Sequence, residues 1–202
     1  MYFWNEKVSI GTMKKNVKDT IISIAQSTFR KYGFRKTTME EIAYAAGKTK
    51  STMYYYFESK EEVFQAVVEK EVTQLRAEIL AAVQAEELTK NKLKAYIFTR
   101  MSGFRKLGNL YELLKDEFIS NLAFADKIRT IYERNETETL TQIISEGVEK
   151  NEFRKLNAPL TARTIVIAMK GLEEPALIET DMDVFMKEID DMINILFYGI
   201  CT

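Results

Sequence analysis

The stretch Thr37–Phe64, TTMEEIAYAAGKTKSTMYYYFESKEEVF, decides the fold of this 202-residue chain. Its first part predicts a helix from Thr38 to Ala46, because Met39, Ile42, Ala43 and Ala46 recur at helical spacing. Thr37-x-x-Glu40 and Thr38-x-x-Glu41 both have the form of a capping box, so the start of that helix is marked twice. Gly47 stands where a helix ends in a left-handed residue. Thr49 can then cap a second helix, with Lys50, Ser51, Thr52, Tyr54, Tyr55 and Tyr56 in its first two turns. Ser59-Lys60-Glu61-Glu62 forms another capping box and opens a longer helix. Two short helices around a glycine turn predict a helix-turn-helix, whose second helix enters the DNA major groove.

The same residues resemble the TetR/AcrR family of bacterial transcriptional regulators. The resemblance is carried by Ala43, Ala46, Gly47, Thr52, Tyr54, Tyr55, Tyr56, Phe57, Ser59, Lys60, Glu61, Glu62 and Phe64. Upstream, Ala25, Phe29, Tyr32, Gly33 and Phe34 fit the family's first helix and its glycine stop. It covers residues 17 to 66, a quarter of the chain; the remainder matches in helical character and length. It implies an all-α protein of nine helices, a homodimer, and a body cavity for a small-molecule effector. In such a regulator an effector changes the spacing of two DNA-binding heads, so that both no longer fit successive grooves of a palindromic operator.

Charge divides along the chain. From Met13 to Lys60 there are ten basic residues and four acidic ones, a net of +6. From Glu61 to the end there are 18 basic and 25 acidic residues, a net of -7. A basic head on an acidic body is the footprint expected for phosphate binding, hidden in an overall charge of -1. Histidine is absent and the one cysteine is Cys201, so no intrachain disulfide and no His/Cys metal cluster is expected. No apolar run approaches the ~20 residues of a membrane span, and residues 1–12 are too short and polar for a secretory signal. A cytoplasmic protein with no cofactor is the simplest expectation.

The remaining sequence predicts helices throughout, with no period-2 pattern. Residues 1–12 read as a leader without clear period, with Met13 a candidate alternative start; 13–59 as the DNA-binding domain; and 60–202 as the effector-binding and dimerisation domain. Helices are expected over about Lys15–Tyr32, Lys60–Ala85, Lys90–Leu107, Leu110–Asn121, Phe124–Lys150, Pro159–Glu174 and from Asp181 or Asp183 onward. The Phe124–Lys150 stripe reads Phe124, Ile128, Ile131, Asn135, Thr139, Ile143 and Gly147, with Asn151 as a left-handed stop.

Candidate DNA contacts are Thr37, Thr38, Lys48, Thr49, Lys50, Ser51, Thr52, Tyr54, Tyr55, Tyr56 and Lys60. Lys50, Ser51 and Thr52 are placed to reach base edges, where lysine donates to guanine O6 and N7. Tyr56, Lys60 and Thr37 read as phosphate contacts. With Met53 and Phe57 on the core side, one of the three consecutive tyrosines is expected to face inward. For the effector, the resemblance implies a pocket with Tyr96, Arg100, Met101, Phe104, Glu117, Phe118, Tyr132, Asn135, Thr139 and Met169 as candidate lining. Each also fits plain core packing. Arg100 with Glu117 is either a structural pair or a pocket feature. Ala162, Ile165, Val166, Met169, Ile189, Met192, Ile193 and Leu196 are expected to form the dimer interface. The competing reading is a helical small-molecule-binding protein or enzyme. No DDxxD motif, Glu-x-x-His pair or nucleophile with a base supports catalysis.

Overall fold

The computed structural model describes residues 3–104, 107–109, 116, 123–173 and 181–198. Eight helices are traced among them and no strand: α1 Phe3–Tyr32, α2 Met39–Ala45, α3 Lys50–Tyr56, α4 Lys60–Gln84, α5 Thr89–Phe104, α6 Ala125–Glu149, α7 Ala158–Gly171 and α8 Met182–Tyr198. The helix expected over Leu110–Asn121 falls outside the described residues, apart from Asp116. The helix expected to start at Lys15 begins at Phe3, so the backbone of the leader is part of α1. No proline interrupts it, and Gly11 in a helix costs only about 1 kcal/mol.

The chain forms two compact units, Met1–Glu71 with Asn109–Asp126, and Val72–Gly108 with Lys127–Thr202. The division falls inside α4, after Glu71, rather than at the expected 59/60 boundary.

In the first unit the termini of the short helices are built from local chemistry. Gly33 (φ 77°) ends α1 and donates to the Phe29 carbonyl at 2.7 Å. Thr38 caps α2: its hydroxyl accepts from the Glu41 amide, and Glu41 receives the Thr38 amide at 2.8 Å. Of the two candidate boxes, the Thr38 box is therefore the one formed. Gly47 (φ 62°) closes α2, with its amide on Tyr44 O at 3.1 Å and the Lys48 amide on Ala43 O at 2.9 Å. This double bond pattern is the Schellman stop, which needs a left-handed residue at this position. At α4, Ser59 accepts from the Glu62 amide at 3.2 Å, but Glu62 receives the Glu58 amide at 2.6 Å. The reciprocal half of that box thus closes one residue earlier than expected.

These ends hold an apolar core. Ile21, Ala25 and Phe29 of α1, Ile42 of α2, Met53 of α3 and Val63, Phe64, Val67 and Val68 of α4 are buried, together with Phe34 and Phe57. Phe64 meets Phe29 edge-on at 5.2 Å and Phe34 at 4.9 Å. Replacing Thr38 by alanine removes one cap and is expected to cost about 1 kcal/mol of stability. Chemical denaturation of the two proteins side by side measures this.

In the second unit α5 buries Leu93, Tyr96, Ile97 and Met101, as its period requires. Gly103 faces Leu75 of α4 so closely that an added Cβ would lie 2.3 Å from Leu75 Cδ1. The buried face of α6 is rotated from the expected one. Ile128, Tyr132, Glu136, Leu140, Ile143 and Ile144 are buried, while Ile131 is exposed and Asn135 and Thr139 are intermediate. Asn151 (φ 58°) does end the α6 segment, with the Glu152 and Phe153 amides both on Gly147 O at 2.9 Å. Asn157 caps α7 by accepting from the Leu160 amide, with Pro159 in its first turn, where the missing amide costs nothing.

Candidate nucleic-acid interface and body cavity

The geometry of α3 follows from which of its side chains the core takes. Met53 (0% exposed) and the following Phe57 point inward. This leaves Lys50, Ser51, Tyr54 and Tyr55 exposed and Thr52 and Tyr56 half-buried. None of the three tyrosines is buried, so the expectation that one faces inward is corrected: Met53 and Phe57 already fill that side. The Tyr55 and Tyr56 rings meet edge-on at 4.9 Å. Thr49 caps α3, its hydroxyl accepting from the Thr52 amide at 3.1 Å and lying 2.9 Å from the Thr52 hydroxyl.

Two of the expected phosphate contacts have structural duties. Thr37 is 1% exposed and donates to Gly33 O at 2.8 Å, so its side chain is not on the surface and its assignment as a contact is corrected. It follows a glycine stop, and its hydroxyl satisfies the carbonyl there. Lys60 donates to Phe34 O at 2.9 Å and lies 4.4 Å over the Phe34 ring, half-buried. Thr38 and Lys48 lie at the two ends of α2, exposed and half-buried.

Lys50 carries a feature that the sequence reading missed. Its ammonium is 2.5 Å from Glu40 of α2 and 5.8 Å from the Tyr54 ring. The hydrogen bond from Lys50 holds the Glu40 carboxyl below its ordinary range, and Glu40 in turn raises Lys50. The pair ties α2 to α3 at the surface. Tyr44, 89% exposed on α2, was also missed. A large aromatic on the polar side of so short a helix was the available signal.

In the second unit, Arg100 is fully buried on α5. Its Nε donates to Glu136 Oε1 at 2.7 Å and its Nη2 to Glu173 Oε1 at 2.5 Å. Burial opposes its charge, but Tyr132, Glu136 and Glu173 outweigh burial and hold the guanidinium protonated. The phenols of Tyr96 and Tyr132 are pushed well up, first by burial and then by Glu136. Glu117, the expected partner of Arg100, lies outside the described residues. Glu136 was missed, although its place four residues after Tyr132 and four before Leu140 puts it on the buried stripe.

Tyr96, Tyr132, Asn135 and Thr139 are brought together around one small cavity, with Glu136 and, at the edge, the exposed Arg76. Its free space of about 30 Å³ is room for a water molecule. The Tyr132 hydroxyl and Glu136 Oε2 in its wall are buried and make no hydrogen bond of good geometry, although the Glu136 carboxylate is near enough to act on the Tyr132 phenol. Met101 and Met169 are core residues, both 0% exposed. The Phe104 side chain and Phe118 lie outside the described residues.

The expected dimer residues are corrected. Ala162, Ile165, Val166, Met169, Ile189 and Ile193 are all buried within this one chain, and Met192 is half-buried; the Leu196 side chain is not among those described. Other apolar side chains of α7 and α8 are exposed: Leu160 (63%), Ile167 (67%), Val184, Ile195 and Tyr198 (72%). An amphipathic helix spends its main stripe on its own core, so only a second apolar face is left for a partner.

A capped helix, a Schellman turn and a second capped helix with an exposed polar and aromatic face define a helix-turn-helix DNA-binding protein. Residues 21–67 match the model of bacterial regulatory proteins of the tetR family. The HTH-type transcriptional regulator RutR of Escherichia coli K12 is 45% identical over 51 residues, 25% of this chain and 24% of that one. Among solved structures, a transcriptional regulator from Cytophaga hutchinsonii is 29% identical, with a TM-score of 0.76 over 91% of this chain and 98% of its own. FadR from Bacillus subtilis, in complex with stearoyl-CoA, shares the fold at 19% identity, with a TM-score of 0.70 over 90% and 98% of the two chains. Residues 21–67 are thus a tetR-family helix-turn-helix region, carried on a chain that shares the fold of these transcriptional regulators. Among the described residues no helix is long and apolar enough to cross a membrane.

Proposed function

We propose that this protein is a cytoplasmic repressor that binds a palindromic operator as a homodimer and is released by a small, largely apolar effector. The observation that carries this reading is the exposed face of α3, where Lys50, Ser51, Tyr54 and Tyr55 stand clear of a core anchored by Met53. Two-fold pairing through the exposed apolar residues of α7 and α8 would present two such faces to successive major grooves. The effector would sit beside Tyr132, in a cavity opened beyond the ~30 Å³ of this structure. Because Glu136 and Glu173 together outnumber the single positive charge of Arg100, an uncharged ligand whose hydroxyl or amide meets Tyr132 and Glu136 Oε2 fits that wall better than an acid. The acyl-CoA bound by FadR from Bacillus subtilis is the competing ligand class.

Fluorescence anisotropy with DNA taken from beside the protein's own gene tests the reading. Saturable binding, with a strong preference over random duplex, is expected; equal binding of both would defeat it. Within that assay Lys50→Ala should lose about 1–3 kcal/mol of discrimination at one base position, while affinity for random DNA changes little. A uniform loss on operator and random DNA would make Lys50 a phosphate contact.

A further inference from the structure

A second recess of about 320 Å³ lies in the second unit, away from the Tyr132 cavity. Leu93 of α5, Ile144 of α6 and Ile165 of α7, all buried, supply apolar wall. Phe153 and Leu156 from the connection before α7, with Phe197 of α8, complete it. The Phe153 and Phe197 rings are stacked at 6.3 Å and 28°. Phe153 rests directly on α6 at Gly147, where an added Cβ would lie 2.3 Å from its ring, so the place of that wall depends on the missing side chain. The volume is at the lower end of the ~300–1,000 Å³ typical of small-molecule sites.

Two charged side chains line the recess, Arg154 and Glu152, both exposed. Among the described residues no carboxylate pairs with Arg154. The acid in the lining, Glu152, is engaged elsewhere: it accepts the Thr89 amide at 2.6 Å and so closes the start of α5. From Lys150 to Lys155 there are three basic residues and one acidic, a net of +2. An unmatched guanidinium above an aromatic and aliphatic hollow is complementary to a compact amphiphilic anion.

We propose that this recess is a second small-molecule site, distinct from the Tyr132 cavity, for an aromatic or branched apolar monocarboxylic acid. The carboxylate pairs with Arg154 and the apolar body lies against Phe153 and Phe197. The test is photo-crosslinking of the full chain with 4-benzoylbenzoate, followed by mapping of the adducts by mass spectrometry. Adducts are expected within residues 144–165 and at Phe197. Arg154→Gln should lower labelling about tenfold at equal probe concentration. Arg154→Lys should restore part of it, and the uncharged 4-methylbenzophenone should be indifferent to both changes. Arg154 is exposed, so neither variant should disturb the fold, which circular dichroism checks. Adducts confined to the surroundings of Tyr132, no adducts at all, or labelling equal in Arg154→Gln and the parent would each overturn the proposal. No DNA enters this readout, so its failure is separate from failure of the operator reading.

Discussion

Replacing Arg100 by methionine lowers stability by about 3–5 kcal/mol, because it removes the cation that two carboxylates face in the interior. Glu136 is the more severe orphan: it is 4% exposed and one of its oxygens already lacks a hydrogen bond of good geometry. The Glu173 side chain, 19% exposed, can turn to water. At ~2–4 °C per kcal/mol for a chain of this size, the melting temperature should fall by roughly 6–20 °C. The double change Arg100→Met with Glu136→Leu should cost much less than the sum of the single changes, since it removes the orphaned charge with its partner. A loss below ~1 kcal/mol for Arg100→Met would show that the group is not a desolvated ion cluster.

Phe64→Ala should cost about 3–5 kcal/mol, the range for emptying a large aromatic site in a packed core. The ring is 0% exposed and touches Phe29, Phe34 and, at 6.4 Å, Phe124. It joins the N-terminal part of α4 to α1 and to Phe34 just beyond the glycine stop. The loss should therefore appear in DNA binding as well as in denaturation, since α2 and α3 lean on the same core. Tyr55→Ala is the matched control: Tyr55 is 63% exposed, so it should leave the melting temperature nearly unchanged. Equal destabilisation by the two changes would contradict the assignment of Tyr55 to the outer face.

The helix-turn-helix was legible because its signals are local. Thr38 with Glu41, the left-handed Gly47, Thr49 with Thr52 and the stop at Gly33 each act within about five residues. The inward direction of Met53 and Phe57 also follows from helical period. The left-handed Asn151 and the cap at Asn157 with Pro159 belong to the same kind of information.

Where the chain had to choose between faces or between distant partners, the sequence left the choice open. Its periodicity predicted that α6 turns Asn135 and Thr139 inward, yet Tyr132, Glu136 and Leu140 take the core, because a small rotation of the helix exchanges one set for the other. It marked Arg100 as a buried charge, but the partners Glu136 and Glu173 lie 36 and 73 residues away, beyond any local rule. It marked α7 and α8 as rich in apolar residues without separating Ile165 and Ile193, which pack within the subunit, from Ile167 and Ile195, which remain exposed. Hydrogen-bonded helix ends are fixed by neighbours along the chain, so sequence alone determined them. Burial is shared among elements far apart in the chain, and only the tertiary packing decided which side chains received it.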